Sequence, residues 1–123
     1  MEKLTINGVE YVPADQVAAM VPAESMDGME YKIVRTFSAG VFAGYIEKRE
    51  GKEVTMRNAR RIWYWDGAAS LSQLAMEGTC KPENCKFAMP VDKVLVTEAI
   101  EILDVTQRAK DSIESVAIWK AEA

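Results

Sequence analysis

From Val41 to Trp65 the chain reads "VFAGYIEKREGKEVTMRNARRIWYW", a run rich in β-formers with one polar tip at Glu50-Gly51. A long antiparallel hairpin is what such a run folds into, because strands bury alternate side chains while a charged tip belongs in water. Setting Lys48 opposite Glu53 brings Tyr45 opposite Met56 and puts Val41, Ala43 and Val54 on one side, a register with a single apolar face. Gly40 and Gly44 lie in strand-like sequence, where glycine marks a bulge or the close approach of another backbone.

The flanking segments extend this hairpin into a sheet. In "YKIVRTF", Tyr31, Ile33, Arg35 and Phe37 alternate onto one face, and "SAG" supplies the turn into the next strand. Asp66 is a candidate N-cap for a short helix with Ala68, Leu71, Leu74 and Ala75 on one stripe and Gly78 as its stop. "TCKPENCKFAMP" reads as a loop, and "KVLVTEAIEILDV" as one or two strands. Thr106 is positioned to cap a last helix, with Val105, Ala109, Ile113 and Val116 at helical spacing; "VAIW" follows as a short terminal strand. At the other end, "LTINGVEYV" is a hairpin around Asn7-Gly8, "ADQVAAM" allows one or two helical turns, and "PAESMDGME" lacks periodicity.

The expected fold class is therefore α+β: a mostly antiparallel β-sheet with two short helices on one side, plus an N-terminal β-hairpin arm. Residues 1–28 form the arm and linker, and 29–123 a single α+β domain.

Composition narrows the chemistry. The 123 residues include no histidine, so neither a Ser-His-Asp nor a Cys-His pair can form. No catalytic residue and no cofactor is assigned, and the expectation is a protein that is not an enzyme. Glu98 and Glu101 are separated by apolar residues that suggest sheet edges rather than a catalytic dyad. A net charge of -4 counts against a general nucleic-acid-coating role, which needs a basic stripe. Cys80 and Cys85 make half a zinc site at best. Free thiols are expected, with a metal shared between subunits or a disulfide as alternatives. No apolar run is long enough to span a membrane, and "MEKLTINGVE" lacks the apolar stretch of a signal peptide, so an intracellular protein is expected.

The candidate ligand-binding residues are Arg57, Arg60, Arg61, Trp63, Trp65 and Tyr45. Guanidinium groups beside indole faces can hold a phosphate by a forked hydrogen bond and a base by stacking. On a regular strand Arg57, Arg61, Trp63 and Trp65 share one parity, while Arg60, Ile62 and Tyr64 share the other. The competing reading packs the tryptophans under the following helix and lays each arginine stem over an aromatic ring. "FSAGVFAG" lacks P-loop spacing and reads better as a tight bend.

"NGVEYVPADQV", "SAGVFAG", "NARRIWYW" followed by "GAASLSQLA", and "CKFAMPVDKVLVTEAIEILDVT" together resemble a family of small uncharacterised proteins of tailed bacteriophages and prophages. The resemblance runs from about Lys3 to about Trp119 and carries no catalytic or binding residue across. It implies a phage-encoded protein in the host bacterial cytoplasm. There it would act by binding a small anionic ligand, such as a nucleotide-derived host immune signal. The alternatives are a protein–protein interaction factor for a host or phage protein, and a nucleic-acid-associated accessory protein. Homo-oligomerisation is expected, and no membrane partner.

Overall fold

The structure, a computed structural model, describes residues 4–6, 9–11 and 21–121. Two short strands, β1 (Leu4–Ile6) and β2 (Val9–Tyr11), pair antiparallel with Leu4 opposite Tyr11 and Ile6 opposite Val9. That is the register the Asn7-Gly8 signal calls for; those two turn residues and the "ADQVAAM" stretch lie outside the described residues.

The main body contains β3 (Glu30–Thr36), β4 (Val41–Glu50), β5 (Glu53–Tyr64), α1 (Leu71–Glu77), β6 (Lys86–Phe87), β7 (Val91–Val96), β8 (Ala99–Asp104) and α2 (Gln107–Ser115). This is the expected α+β class: the sheet runs β6-β5-β4-β3-β8, all antiparallel, with β7 also paired to β5. "KVLVTEAIEILDV" makes two strands, yet they do not pair with each other. Joined by Thr97 and Glu98 alone, β7 and β8 lie at opposite edges of the path β7-β5-β4-β3-β8. Laid flat, five strands would separate those edges by about 19 Å, whereas Val96 and Ala99 can be at most about 11 Å apart along the chain. The sheet must therefore curl. Hydrogen bonds from the Ala99 N–H to the Lys52 carbonyl (3.0 Å) and from the Phe37 N–H to the Glu98 carbonyl (2.9 Å) fasten the curl where the connection crosses.

Curling gives the sheet two cores. Its inner face buries Val34, Phe42, Val54, Met56, Ala59 and Val96. The outer face packs Tyr31, Ile33, Ala43, Tyr45, Ile62 and Phe87 against Leu74 and Ala75 of α1 and Ala109 and Ile113 of α2. Both helices thus cover one face, and Val34 shows why strict alternation underestimates β3, which is buried on both sides.

Several local expectations are corrected. The hairpin tip is Gly51-Lys52, with Gly51 at φ 59°, so Glu50 rather than Lys48 faces Glu53, and Tyr45 faces Arg57 rather than Met56. A two-residue turn with glycine at positive φ fits the twist of the strands better than the longer loop. Ser70, not Asp66, caps α1: its hydroxyl accepts the Gln73 N–H at 3.0 Å. Asp66 is too far upstream and instead accepts the Gly67 N–H (2.8 Å) and the Asn84 amide (2.9 Å). Gly78 does end α1 and Thr106 does cap α2. Residues 21–23, expected to be linker, are bonded to the body: Ala23 N–H to the Val105 carbonyl and Gln107 N–H to the Val21 carbonyl, both at 2.9 Å. "VAIW" contributes a single parallel bridge, Ile118 to Phe87, rather than a strand.

Candidate functional site

Alternation along the arginine–aromatic stretch is broken twice on β5. Between Ile62 and Tyr64 two steps match one on β6, and at Asn58 the bulge against β4 decides which way the arginines point. Arg57 pairs with Tyr45 and Arg60 with Ala43, so three steps on β5 match two on β4, and Asn58 takes φ 49° to absorb the extra residue. Gly44 makes the bulge possible. A Cβ there would sit 2.7 Å from the Ala59 Cα, closer than two carbons can approach. The bulge reverses parity: Arg57 and Arg60 share the helix-covered face, while Arg61 emerges on the other beside its partner Phe42. The alternation that grouped Arg57 with Arg61 fails here.

The six predicted residues accordingly divide. Arg60 is only 4% exposed, and its guanidinium is committed to backbone carbonyls. Nε donates to Ala88, Nη1 to Ile113 and Val116, and Nη2 to Phe87, each at 3.0 Å. Burial pushes its pKa down, with Tyr31 and Glu114 pushing back; an arginine stays charged regardless. It is a rivet between β5, β6 and the C-terminal end of α2. Arg57 is held by Glu47 (2.9 Å) and by the carbonyl (3.0 Å) and carboxylate (3.4 Å) of Asp92. The Glu47 hydrogen bond, then that of Asp92, raises the Arg57 pKa, and the same Arg57 bond holds Glu47 below the usual carboxylate range. Tyr45 is buried edge-to-face against Tyr31 (5.1 Å, 78°), with the Lys110 ammonium 5.7 Å from its ring centroid. Arg57, Arg60 and Tyr45 therefore leave the candidate ligand surface.

Arg61, Trp63 and Trp65 do converge. Together with the β3–β4 turn, Ser38 to Val41, they line an open hollow of about 500 Å³. Arg61 lies over the Phe42 ring at 4.7 Å and donates from Nε to the Ala39 carbonyl at 3.1 Å. Among the described residues its two terminal nitrogens have no protein acceptor, so the fork is fixed at its stem and open at its tip. Trp65 is half-buried against the helix-side core, as the packing alternative proposed, whereas Trp63 is 65% exposed. Beside Trp63 lies Trp119, with ring centroids 6.2 Å apart and planes inclined by 13°. Lys86 places its ammonium 5.5 Å from the Trp119 centroid. Sequence spacing gave no pointer to Trp119 or Lys86, which reach this end of β5 only through the β6 pairing.

The "FSAG" turn is braced by its own backbone. The Thr36 hydroxyl donates to the Gly40 carbonyl (2.7 Å) and accepts the Ala39 N–H (2.9 Å), as expected of a tight bend. A second hollow, of about 490 Å³, lies between residues 22–25 and the β3–β8 pair. Its one cation, Lys32, is already matched by Glu30 and Asp104, which suits it poorly to an added anion. Cys80 is exposed and Cys85 buried, both as free thiols. Among the described residues no three His, Cys, Asp or Glu side chains converge in a way that could hold a metal ion, and no helix is long and apolar enough to cross a membrane.

A family model described as Domain of unknown function (DUF6948) matches residues 29–113, from the threshold of β3 into α2. No curated protein and no solved structure matches the chain.

Proposed function

The chain belongs to the DUF6948 family, and from that premise we propose that it is a non-enzymatic binding module that captures a small anionic ligand with a planar aromatic part. A nucleotide-derived signal is the ligand class that best fits. One observation carries the reading: Arg61, whose terminal nitrogens have no acceptor among the described residues, lines one hollow together with Trp63 and Trp65, in a chain that is acidic as a whole. A guanidinium fork takes a phosphate and an indole takes a base, both without turnover. In the phage setting that the sequence resemblance implies, such a module would sequester a host immune messenger in the bacterial cytoplasm. The hollow is open, and a second copy of the chain that closed it would make the protein the expected homo-oligomer.

Isothermal titration with cyclic nucleotides and cyclic ADP-ribose isomers tests this. Arg61→Ala should weaken any binding about 10-fold or more, the worth of a hydrogen bond to a charged group, while Arg57→Ala should leave it unchanged. Absence of heat with every ligand, at protein concentrations in the tens of micromolar, ends the proposal. Light scattering on the same sample should show a particle heavier than the 13.7 kDa chain.

A second reading, docking of a host or phage protein, is favoured by two large exposed aromatics, Phe37 at 76% and Trp63 at 65%, since large aromatics dominate interface hot spots. Native mass spectrometry of protein from host cells separates the two: a retained small mass supports capture, a retained polypeptide supports docking.

A further inference from the structure

An indole at the end of a strand, 65% exposed, would ordinarily sample several rotamers, and a ligand stacking on it would have to freeze them. Trp63 is placed differently. Its ring lies almost parallel to that of Trp119, within the centroid range of offset aromatic stacking. Trp119 is held at its backbone: its main-chain N–H donates to the Phe87 carbonyl at 2.9 Å, and its neighbour Ile118 bridges to the same Phe87. The Lys86 ammonium lies over the Trp119 ring as well. A cation, two indoles and the hollow of Arg61 thus occur in succession at one end of the molecule, although Trp119 lies beyond the last helix in the chain.

We propose that Trp119 is a positioning residue for the hollow: it holds the Trp63 indole in one orientation as a preformed platform, so that the site selects ligands bearing a nucleobase over bare anions. The inference rests on the reading that the hollow binds a ligand, and it adds what that ligand must contain. Arg61 alone recognises phosphate and would not discriminate; discrimination comes from a flat face whose ordering cost is met during folding.

The test compares wild type with Trp119→Ala and Trp119→Phe, titrated with adenosine monophosphate, a cyclic dinucleotide and inorganic phosphate. In parallel, NMR of the Trp63 indole N–H reports the order of that ring. Trp119→Ala should weaken the base-bearing probes roughly three- to tenfold, leave phosphate unchanged, and broaden or average the Trp63 signal. Trp119→Phe should restore most of both. A generally disrupted fold would lower affinity for all probes and disperse signals from the core as well, and neither is expected. Unchanged affinity for base-bearing probes in Trp119→Ala, or equal losses for those probes and for phosphate, overturns the proposal. If wild type binds none of the probes, it is the ligand reading that fails. The indole signal then still judges Trp119: a Trp63 ring as ordered in Trp119→Ala as in wild type overturns its positioning role.

Discussion

Replacing Arg60 by methionine keeps an unbranched apolar stem but deletes the guanidinium that joins β5 and β6 to the end of α2. Four hydrogen bonds disappear, but not all four carbonyls are stranded. Phe87 keeps the Trp119 N–H as a donor and Ile113 keeps that of Val116, leaving Ala88 and Val116 bare among the described residues. An unsatisfied buried acceptor costs about 1–3 kcal/mol, so two amount to roughly 2–6 kcal/mol. Removing the buried charge returns part of its desolvation cost, while loss of the cation from the C-terminal carbonyls of α2 works the other way. The expected net destabilisation is about 3–5 kcal/mol, a large fraction of the 5–15 kcal/mol typical of a domain. With a urea slope of about 2 kcal/mol/M, the unfolding midpoint should fall by roughly 2 M. Where Arg60→Met remains folded, ligand affinity should match wild type, because the guanidinium never reaches the hollow. A midpoint within about 0.5 M of wild type would refute the rivet role. Lost binding at full stability would return Arg60 to the ligand surface.

Gly44→Ala should destabilise by about 1–3 kcal/mol, because the added Cβ meets the Ala59 backbone at 2.7 Å; thermal melts measure this, and an unchanged melting temperature would mean the bulge is not tightly packed. Acid should remove a contribution made by Glu47 and Asp66. Arg57 lowers the pKa of the first, and Asn84, followed by the Gly67 N–H, that of the second. A depressed native pKa stabilises above the unfolded carboxylate value and is lost as pH falls through the native one. Melting temperatures followed from about pH 6 to pH 3 should therefore fall less steeply for Glu47→Gln than for wild type, and parallel curves would show that the Arg57–Glu47 contact carries no linkage.

Local sequence was sufficient wherever a residue's role depends on near neighbours. The α+β class, the long hairpin, the stop at Gly78 and the cap at Thr106 follow from periodicity and from backbone groups that need a partner a few residues away. Gly44 was correctly flagged as a point of close approach, since an interior strand glycine has few other uses. The candidate site was legible only by composition. Counting alternate residues from Arg57 to Trp65 assumes an unbroken strand, and Asn58 breaks it.

What the sequence by itself determined is the set of elements and the concentration of cations and aromatics on β5. Only the tertiary structure decided which of those side chains are available: the bulge against Gly44 turned Arg60 inward, and the packing of α2 gave it carbonyls to hold. The sheet's curl and the β6 pairing are likewise non-local, for they depend on Val91–Asp104 reaching both sheet edges and on the chain end docking at Phe87. Strand alternation is a property of one backbone, whereas register, curl and bulge belong to pairs of backbones far apart in sequence, and it is these that leave Arg61 and Trp63 open while covering Arg60 and Tyr45.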